Sequence, residues 1–171
     1  VKARYGPVIV QEYVPWGGHV FDVDVLMNER GEVRAAVVCR RIRMYPPLAG
    51  PTALGQAVES PELRDCAVRL LQSLDWRGPA EVEFRVDPGS GRPVFTEINA
   101  RFWGSLFTGM IAGIDFPYML YQVAVEGDCP EVRDYRTDMK ARYLFTEELL
   151  CLASHPRKRA IIRSWLGGFF D

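Results

Sequence analysis

Two β-rich runs, Ala80–Val86 and Pro93–Ile98, are joined by Asp87-Pro88-Gly89-Ser90-Gly91, a stretch made of turn residues. No other feature constrains the fold as tightly, because so short a connection fixes both the partner strand and its register. An antiparallel hairpin centred near Ser90 places Glu83 opposite Glu97. Like charges directly across a ladder repel. Two readings are open at this point. The pair is a solvated, charged hairpin face, or it holds a cation. Magnesium takes oxygen ligands, few of them from protein, and leaves room for water and phosphate oxygens. Glu83, Glu97 and the Asn99 amide oxygen form such a set, with manganese as the alternative ion. Arg101 adds a guanidinium suited to a phosphate or carboxylate.

The rest of the chain reads as α+β. Pro7–Val14 is β-rich and is expected to be a strand. His19–Met27 alternates, and Asn28-Glu29-Arg30-Gly31 turns it into a return strand over Val33–Arg43. Asp22 and Asp24 share one face of the first of these strands; they read as solvated charges, with a position facing a cleft as the other reading. Tyr45–Pro51 reads as a Pro/Gly loop. Ser60-Pro61-Glu62 opens a helix with Ser60 as N-cap, and Leu63, Ala67, Leu70, Leu71 and Leu74 recur at helical spacing. Gly104–Ala112 and Phe116–Val125 read as helices around Gly113-Ile114-Asp115, with Asp115 as a cap. Met139–Phe145 is a candidate last strand. Glu147–Ser154 and Arg157–Trp165 read as helices broken at Pro156. An antiparallel sheet with helices on one side accommodates these elements.

Composition narrows the function classes. A net charge of −1 gives no basic excess for nucleic acid, and no apolar run reaches membrane-spanning length. No signal peptide is recognisable, so the cytoplasm is the expected compartment. Cys39, Cys66, Cys129 and Cys151 form no C-x-x-C pair, and two histidines are few for a zinc site; scattered buried thiols are expected. No Gly-x-Ser-x-Gly elbow is present for a serine hydrolase. The chain starts at Val1 and ends on Gly167-Gly168-Phe169-Phe170-Asp171 without a cap, which reads as a fragment of a longer protein.

Gln11-Glu12-Tyr13-Val14-Pro15, a Gly-containing turn, a strand, Val82-Glu83-Phe84 and Glu97-Ile98-Asn99-Ala100-Arg101, in this order, resemble the C-terminal part of the ATP-grasp superfamily. That superfamily includes biotin carboxylase, D-alanine–D-alanine ligase and the carbamoyl-phosphate synthetase large chain. Arg40-Arg41-Ile42-Arg43 and Tyr45-Pro46-Pro47 resemble ATP-grasp carboligases of unassigned substrate. The resemblance covers residues 7–127 and leaves 128–171 as a C-terminal helical extension of one domain.

The resemblance implies roles for individual residues. Gln11, Glu12, Tyr13 and Val14 match the hinge against which adenine lies, and His19 falls where biotin carboxylase has a ribose-contacting histidine; a surface histidine is the other reading. Glu83, Glu97 and Asn99 match the magnesium ligands, and Arg101 an arginine at the phosphoryl-transfer site. Arg41 and Arg43 are expected to share a strand face, with Arg40 on the other. One of the pair would hold a carboxylate substrate or its acyl phosphate, unless the three form a solvated basic edge. Trp103 reads as packing, and the backbone N–H groups beyond it open a helix that could meet an anion.

The implied activity is an ATP- and magnesium-dependent ligase. It would join a small-molecule carboxylate to an amine, or a thiol, through an acyl phosphate. The alternative is a non-catalytic nucleotide-binding or interaction module. The glycine-rich lid and the phosphate-clamping lysines of the superfamily have no counterpart in the sequence, so the isolated piece is expected to be inactive. Nucleic acid and membrane are not expected partners, and a homodimer is among the arrangements open to it.

Overall fold

A computed structural model describes residues 4, 6–47, 50–154 and 158–167. Its centre is a six-stranded antiparallel sheet of β1 (Val20–Met27), β2 (Val33–Met44), β3 (Thr52–Val58), β4 (Gly78–Val86), β5 (Pro93–Asn99) and β6 (Lys140–Arg142), ordered β5-β4-β1-β2-β3-β6. The helices are α1 (Pro61–Ser73), α2 (Leu106–Ile111), α3 (Phe116–Glu126), α4 (Leu149–Ser154) and α5 (Lys158–Gly167). A single π turn, Leu144–Glu148, leads into α4.

Alternation along the central strands builds two cores, one on each side of the sheet. Val23, Val25 and Met27 of β1 join Ala80, Val82 and Phe84 of β4 on one face, where α1 buries Leu63, Ala67 and Leu71. Leu26, Ala35, Val37 and Cys39 point the other way, against Phe116, Met119 and Val123 of α3 and against Trp103. Helices therefore cover both faces rather than the single side expected from the sequence. The reason is that β1 and β2 bury apolar side chains on both of their faces over Val23–Met27 and Ala35–Val38, so neither face can be left to water. Trp103 packs edge-on to Phe116, with ring centroids 5.1 Å apart.

Local signals explain most boundaries. Pro61 starts α1, although Ser60 at its N-cap makes no side-chain cap bond. Asp115 caps α3 by accepting from Tyr118 N at 3.1 Å, and left-handed Gly127 ends it. Leu74, placed on the apolar stripe from sequence, lies just past α1 and is exposed.

Three other expectations are corrected. Pro7–Val14 forms no strand. It pairs with nothing among the described residues, and Val8, Ile9 and Val10 are exposed, so β-propensity alone has no neighbour to act on. Thr52–Val58, not expected, is β3. Met139–Phe145 gives only the three residues of β6 before the chain turns into the π turn. Of the cysteines, Cys39, Cys129 and Cys151 are buried and Cys66 is exposed. Leu48, Ala49, Pro156, Arg157 and Gly168–Asp171 lie outside the described residues.

Candidate active site

The expected hairpin forms with Glu83 opposite Glu97. Its turn is organised by Asp87, whose Oδ1 accepts from Gly89 N at 3.1 Å, Ser90 N at 2.6 Å and Ser90 Oγ at 2.8 Å. Beyond the pair the register slips, and Phe84 faces Phe95. The extra residue, Thr96, makes a bulge that donates its hydroxyl to Glu83 O at 3.1 Å or to Glu83 Oε1 at 3.0 Å. The bulge thus restrains the carboxylate on the partner strand.

On this face of the sheet lies a cavity of about 370 Å³. β4 contributes Glu81, Glu83 and Arg85, β5 contributes Glu97 and Asn99, and β2 contributes Arg41. Arg101 follows β5, and Gly50, Pro51, Thr52, Gly104 and Ser105 close the far end. Gly50 is required there, because a Cβ would lie 1.9 Å from Tyr45 O.

Arg41 organises the carboxylates. Its Nε donates to Asp22 Oδ2 at 2.7 Å, its Nη1 lies 3.0 Å from Glu83 Oε2, and its Nη2 lies 2.7 Å from Asp22 Oδ1 and 3.4 Å from Glu81 Oε1. Arg85 Nε reaches Glu83 Oε1 at 3.3 Å and carries its guanidinium 4.4 Å over the Trp16 ring. The repulsion between Glu83 and Glu97 is thus already relieved on the Glu83 side. Asp22 and Asp24, expected to be solvated, are fully buried. Burial, first, raises the Asp22 pKa to about 6 against the pull of Arg41. Asp24 is pushed well up by burial and by the charge of Asp22. Burial and Asp22 raise Glu81 to about 7. For Arg41 burial pulls downward, but the surrounding carboxylates win and its pKa rises.

Glu81 lines the cavity and was not among the residues singled out from the sequence. It pairs with Asn99 across the ladder, and Asn99 Nδ2 donates to Glu81 Oε1 and Glu97 Oε1, each at 3.1 Å. Two residues from Glu83 on a strand, it shares that residue's face, and this period was the available signal. Arg101 donates to Asn99 Oδ1 at 3.3 Å and to Phe102 O at 2.9 Å.

The expected shared face of Arg41 and Arg43 is not formed. A bulge at Ile42 lets Arg41 pair with Gly55 and Arg43 with the adjacent Leu54, so the two arginines leave on opposite faces. Arg43 reaches buried Glu148, which also accepts from Trp165 Nε1 at 2.7 Å, and it does not line the cavity. Arg40 donates to Gln56 at 3.0 Å.

The hinge candidates lie elsewhere. Glu12, Tyr13 and Val14 line a second hollow with Asp87, Ser90, Arg92, Pro93 and Val94. Gln11 is exposed, and His19 is exposed with its ring edge-on to Phe21 at 6.1 Å. The loop between them is clamped to β4, since a Cβ on Gly18 would lie 1.7 Å from Val86 O.

No three His, Cys, Asp or Glu side chains among the described residues are grouped to hold a metal ion. Glu83, Glu97 and Asn99 nonetheless supply hard oxygen donors on one wall. That chemistry fits magnesium shared with phosphate and water rather than an all-protein cage.

The sequence matches the family described as ATP-grasp in the biosynthetic pathway with Ter operon over residues 4–147. The chain belongs to the ATP-grasp family. No curated protein matches it. Among solved structures, this ATP-grasp chain resembles a pyruvate carboxylase from Rhizobium etli with the allosteric activator acetyl coenzyme A, at 17% identity and a TM-score of 0.61 over 78% of the chain. It resembles a biotin carboxylase–β,γ-ATP complex from Campylobacter jejuni at 18% identity and 0.61 over 76%. It also resembles the biotin carboxylase domain dimer of 2-oxoglutarate carboxylase from Hydrogenobacter thermophilus, in complex with MgADP, ADP and bicarbonate, at 19% identity and 0.55 over 71%. It spans 15%, 30% and 28% of those chains. At these identities the likeness is one of fold: an antiparallel sheet with flanking helices.

Proposed function

We propose that this cavity is the metal and phosphate side of an ATP-dependent carboxylate ligase. The observation that supports it most is the convergence of Glu83, Glu97, Asn99 and Arg101 on one wall. In the reaction, a carboxylate oxygen takes the γ-phosphoryl group of ATP and ADP leaves. The nitrogen of an amine, or the sulfur of a thiol, then attacks the acyl carbon. Phosphate departs with that oxygen, and the nucleophile loses a proton.

Glu83 and Glu97 would hold magnesium, with Asn99 turning its amide oxygen toward it. The ion would spread the negative charge of the phosphates. Arg41 and Thr96 position Glu83. Arg41 has its fork filled by carboxylates and so acts through them rather than on substrate. Arg101 uses two of its donors on Asn99 and Phe102, and its remaining N–H groups can grip the transferring phosphoryl group or the attacking carboxylate. Adenine would lie toward Glu12, Tyr13 and Val14, next to the hairpin turn. Gln11 and His19 would contribute at the same end. The domain would be the C-terminal portion of a longer enzyme, with residues 128–171 as its helical extension.

Two substitutions in the full-length polypeptide test the reading. Glu97→Gln keeps shape and removes charge. Calorimetry should show magnesium-dependent ATP affinity reduced by about 10-fold or more. Equal affinity in both proteins would remove Glu97 from the site. Arg101→Lys keeps charge and loses the fork. It should lower kcat by about 10²-fold, roughly 2.7 kcal/mol of barrier, with a much smaller change in ATP affinity. Near-normal kcat would return Arg101 to the scaffold. A binding module without chemistry would keep the Glu97 effect and show no ATP turnover.

A further inference from the structure

Asp22 is fully buried beside the cavity without lining it. Across the sheet it stands in a row of carboxylates: Asp22 of β1 faces Glu83 of β4, and Glu83 faces Glu97 of β5. The row runs from the core outward, with Asp22 at 0% exposure, Glu83 at 6% and Glu97 exposed. A carboxylate directly behind Glu83 adds repulsion to it. Burying an ion pair seldom stabilises a fold more than apolar side chains of the same volume would. Here the pairing is also incomplete. Asp22 Oδ1 accepts no hydrogen bond of ordinary geometry, although Arg41 Nη2 lies 2.7 Å from it. A charge so placed calls for an explanation other than stability.

The geometry of Arg41 supplies one. A guanidinium is planar, so fixing one edge fixes the direction of every N–H. Asp22 holds the Nε–Nη2 edge, with Nε 2.7 Å from Oδ2 and Nη2 2.7 Å from Oδ1. Nη1 is left on the side toward Glu83 and meets Oε2 at 3.0 Å. Glu83 Oε1 is held separately, by Thr96 at 3.0 Å and Arg85 at 3.3 Å. Arg41 thus restrains Oε2, and Asp22 sets the orientation of Arg41. Without the Asp22 charge, the guanidinium would be free to turn its two-nitrogen edge onto Glu83. It would then occupy both carboxylate oxygens, in competition with a cation. Asp24, the next acid on the same face, is placed differently: it stands opposite Glu81 and has Cys39 Sγ at 3.5 Å.

We propose that Asp22 is a positioning residue for Glu83: it holds one edge of the Arg41 guanidinium so that Nη1 alone reaches Glu83 and the carboxylate stays open to magnesium. This rests on the ligase reading, in which Glu83 holds the metal, and adds to it a residue outside the cavity.

The test is calorimetric titration of the full-length polypeptide with a non-hydrolysable ATP analogue, once with magnesium and once with EDTA. The readout is the ratio of the two affinities, since a general loosening of the fold weakens both. In Asp22→Asn the ratio should fall about 10-fold or more, the usual cost of removing a group that orients a metal ligand, while affinity in EDTA stays within about 2-fold. Asp24→Asn removes an equally buried carboxylate outside the Arg41 fork, and should leave the ratio within about 2-fold. Arg41→Lys keeps the charge and loses the fork. It should lower the ratio as Asp22→Asn does, and adding Asp22→Asn to it should change the ratio by less than about 2-fold. A parent-like ratio in Asp22→Asn, equal losses with and without magnesium, or full additivity with Arg41→Lys overturns the positioning role. Where Asp22→Asn does not fold, Arg41→Lys decides: a lowered ratio supports the role and a parent-like one overturns it. A parent whose affinity ignores magnesium overturns the ligase reading as well. A ratio lowered in Glu97→Gln but parent-like in Asp22→Asn leaves that reading standing and removes Asp22 from it.

Discussion

The β1–β2 hairpin carries a charge cluster at each end, and the two are opposites. At the turn end, Arg30 and Arg34 meet Glu32 and Asp128, with Asn28 donating to both carboxylates at 2.8 and 3.1 Å. Two cations face two anions beside water. Hydrogen bonds from Arg30 and Asn28 hold Glu32 down to about 2, and Arg34 holds Asp128 well below its usual range. At the cavity end, Arg41 serves Asp22, Glu81 and Glu83 together, Asp22 is pushed up to about 6 and Glu81 to about 7. The residue types are the same. Burial and the ratio of charges decide the direction. The turn-end cluster fastens the segment after α3 to the hairpin. The cavity-end cluster gathers several carboxylates around one arginine, and burial brings Asp22 and Glu81 into the range where they take up protons.

The largest effect that separates the two ends should come from Arg41→Met. With the guanidinium gone, buried carboxylates are left unpaired, and the loss should be about 3–5 kcal/mol in urea unfolding at pH 8 without metal. The deficit should shrink toward pH 5, as Asp22 and Glu81 take up protons and the unpaired charge disappears. A deficit that is flat with pH would mean that Arg41 matters for packing rather than charge.

A smaller effect of opposite sign is expected from Glu81→Gln. The folded pKa of Glu81 is raised above its unfolded value, so the penalty on the fold is absent below about pH 4.5 and complete above about pH 7. The amide should therefore raise stability by about 1 kcal/mol at pH 8 and change it little at pH 4.5. Destabilisation at pH 8 would show that Arg41 over-compensates the cluster. Smallest of all should be Asp128→Asn at the turn end. The pKa of Asp128 is lowered in the fold, so its contribution exists above its unfolded value and is lost as pH falls below it. The melting temperature should drop slightly at pH 7, with the difference erased in about 1 M salt. A salt-resistant loss would make this cluster a second buried site in disguise.

What the sequence revealed and what it hid follow from how local each cause is. The Glu83–Glu97 pairing was legible because the Asp87–Gly91 turn fixes it within a few residues. The helices α1 and α3 were legible from Pro61 and Asp115 with apolar spacing behind them. β3 was not, because Thr-Ala-Leu-Gly-Gln-Ala-Val has few β-branched residues, and its strand state comes from lying between β2 and β6. The burial of Asp22 was hidden for a similar reason: its partner Arg41 is met only across the sheet. The separation of Arg41 from Arg43 depends on one bulge at Ile42, which no alternation pattern announces. Glu81 needed no such context and could have been read beside Glu83.

The clamped loop before β1 gives the protein an optical gauge. Of its four tryptophans, Trp16 is 42% exposed, Trp103 is buried and Trp76 and Trp165 are partly buried. The Trp16 indole has the Arg85 guanidinium 4.4 Å from its ring, and Arg85 in turn touches Glu83. Gly18 lets that loop lie directly on Val86, so Trp16, Arg85 and Glu83 form a chain of contacts from the loop to the cavity. Trp16 fluorescence is therefore expected to respond when the charge at Glu83 changes, with Trp16→Phe as the silent reference.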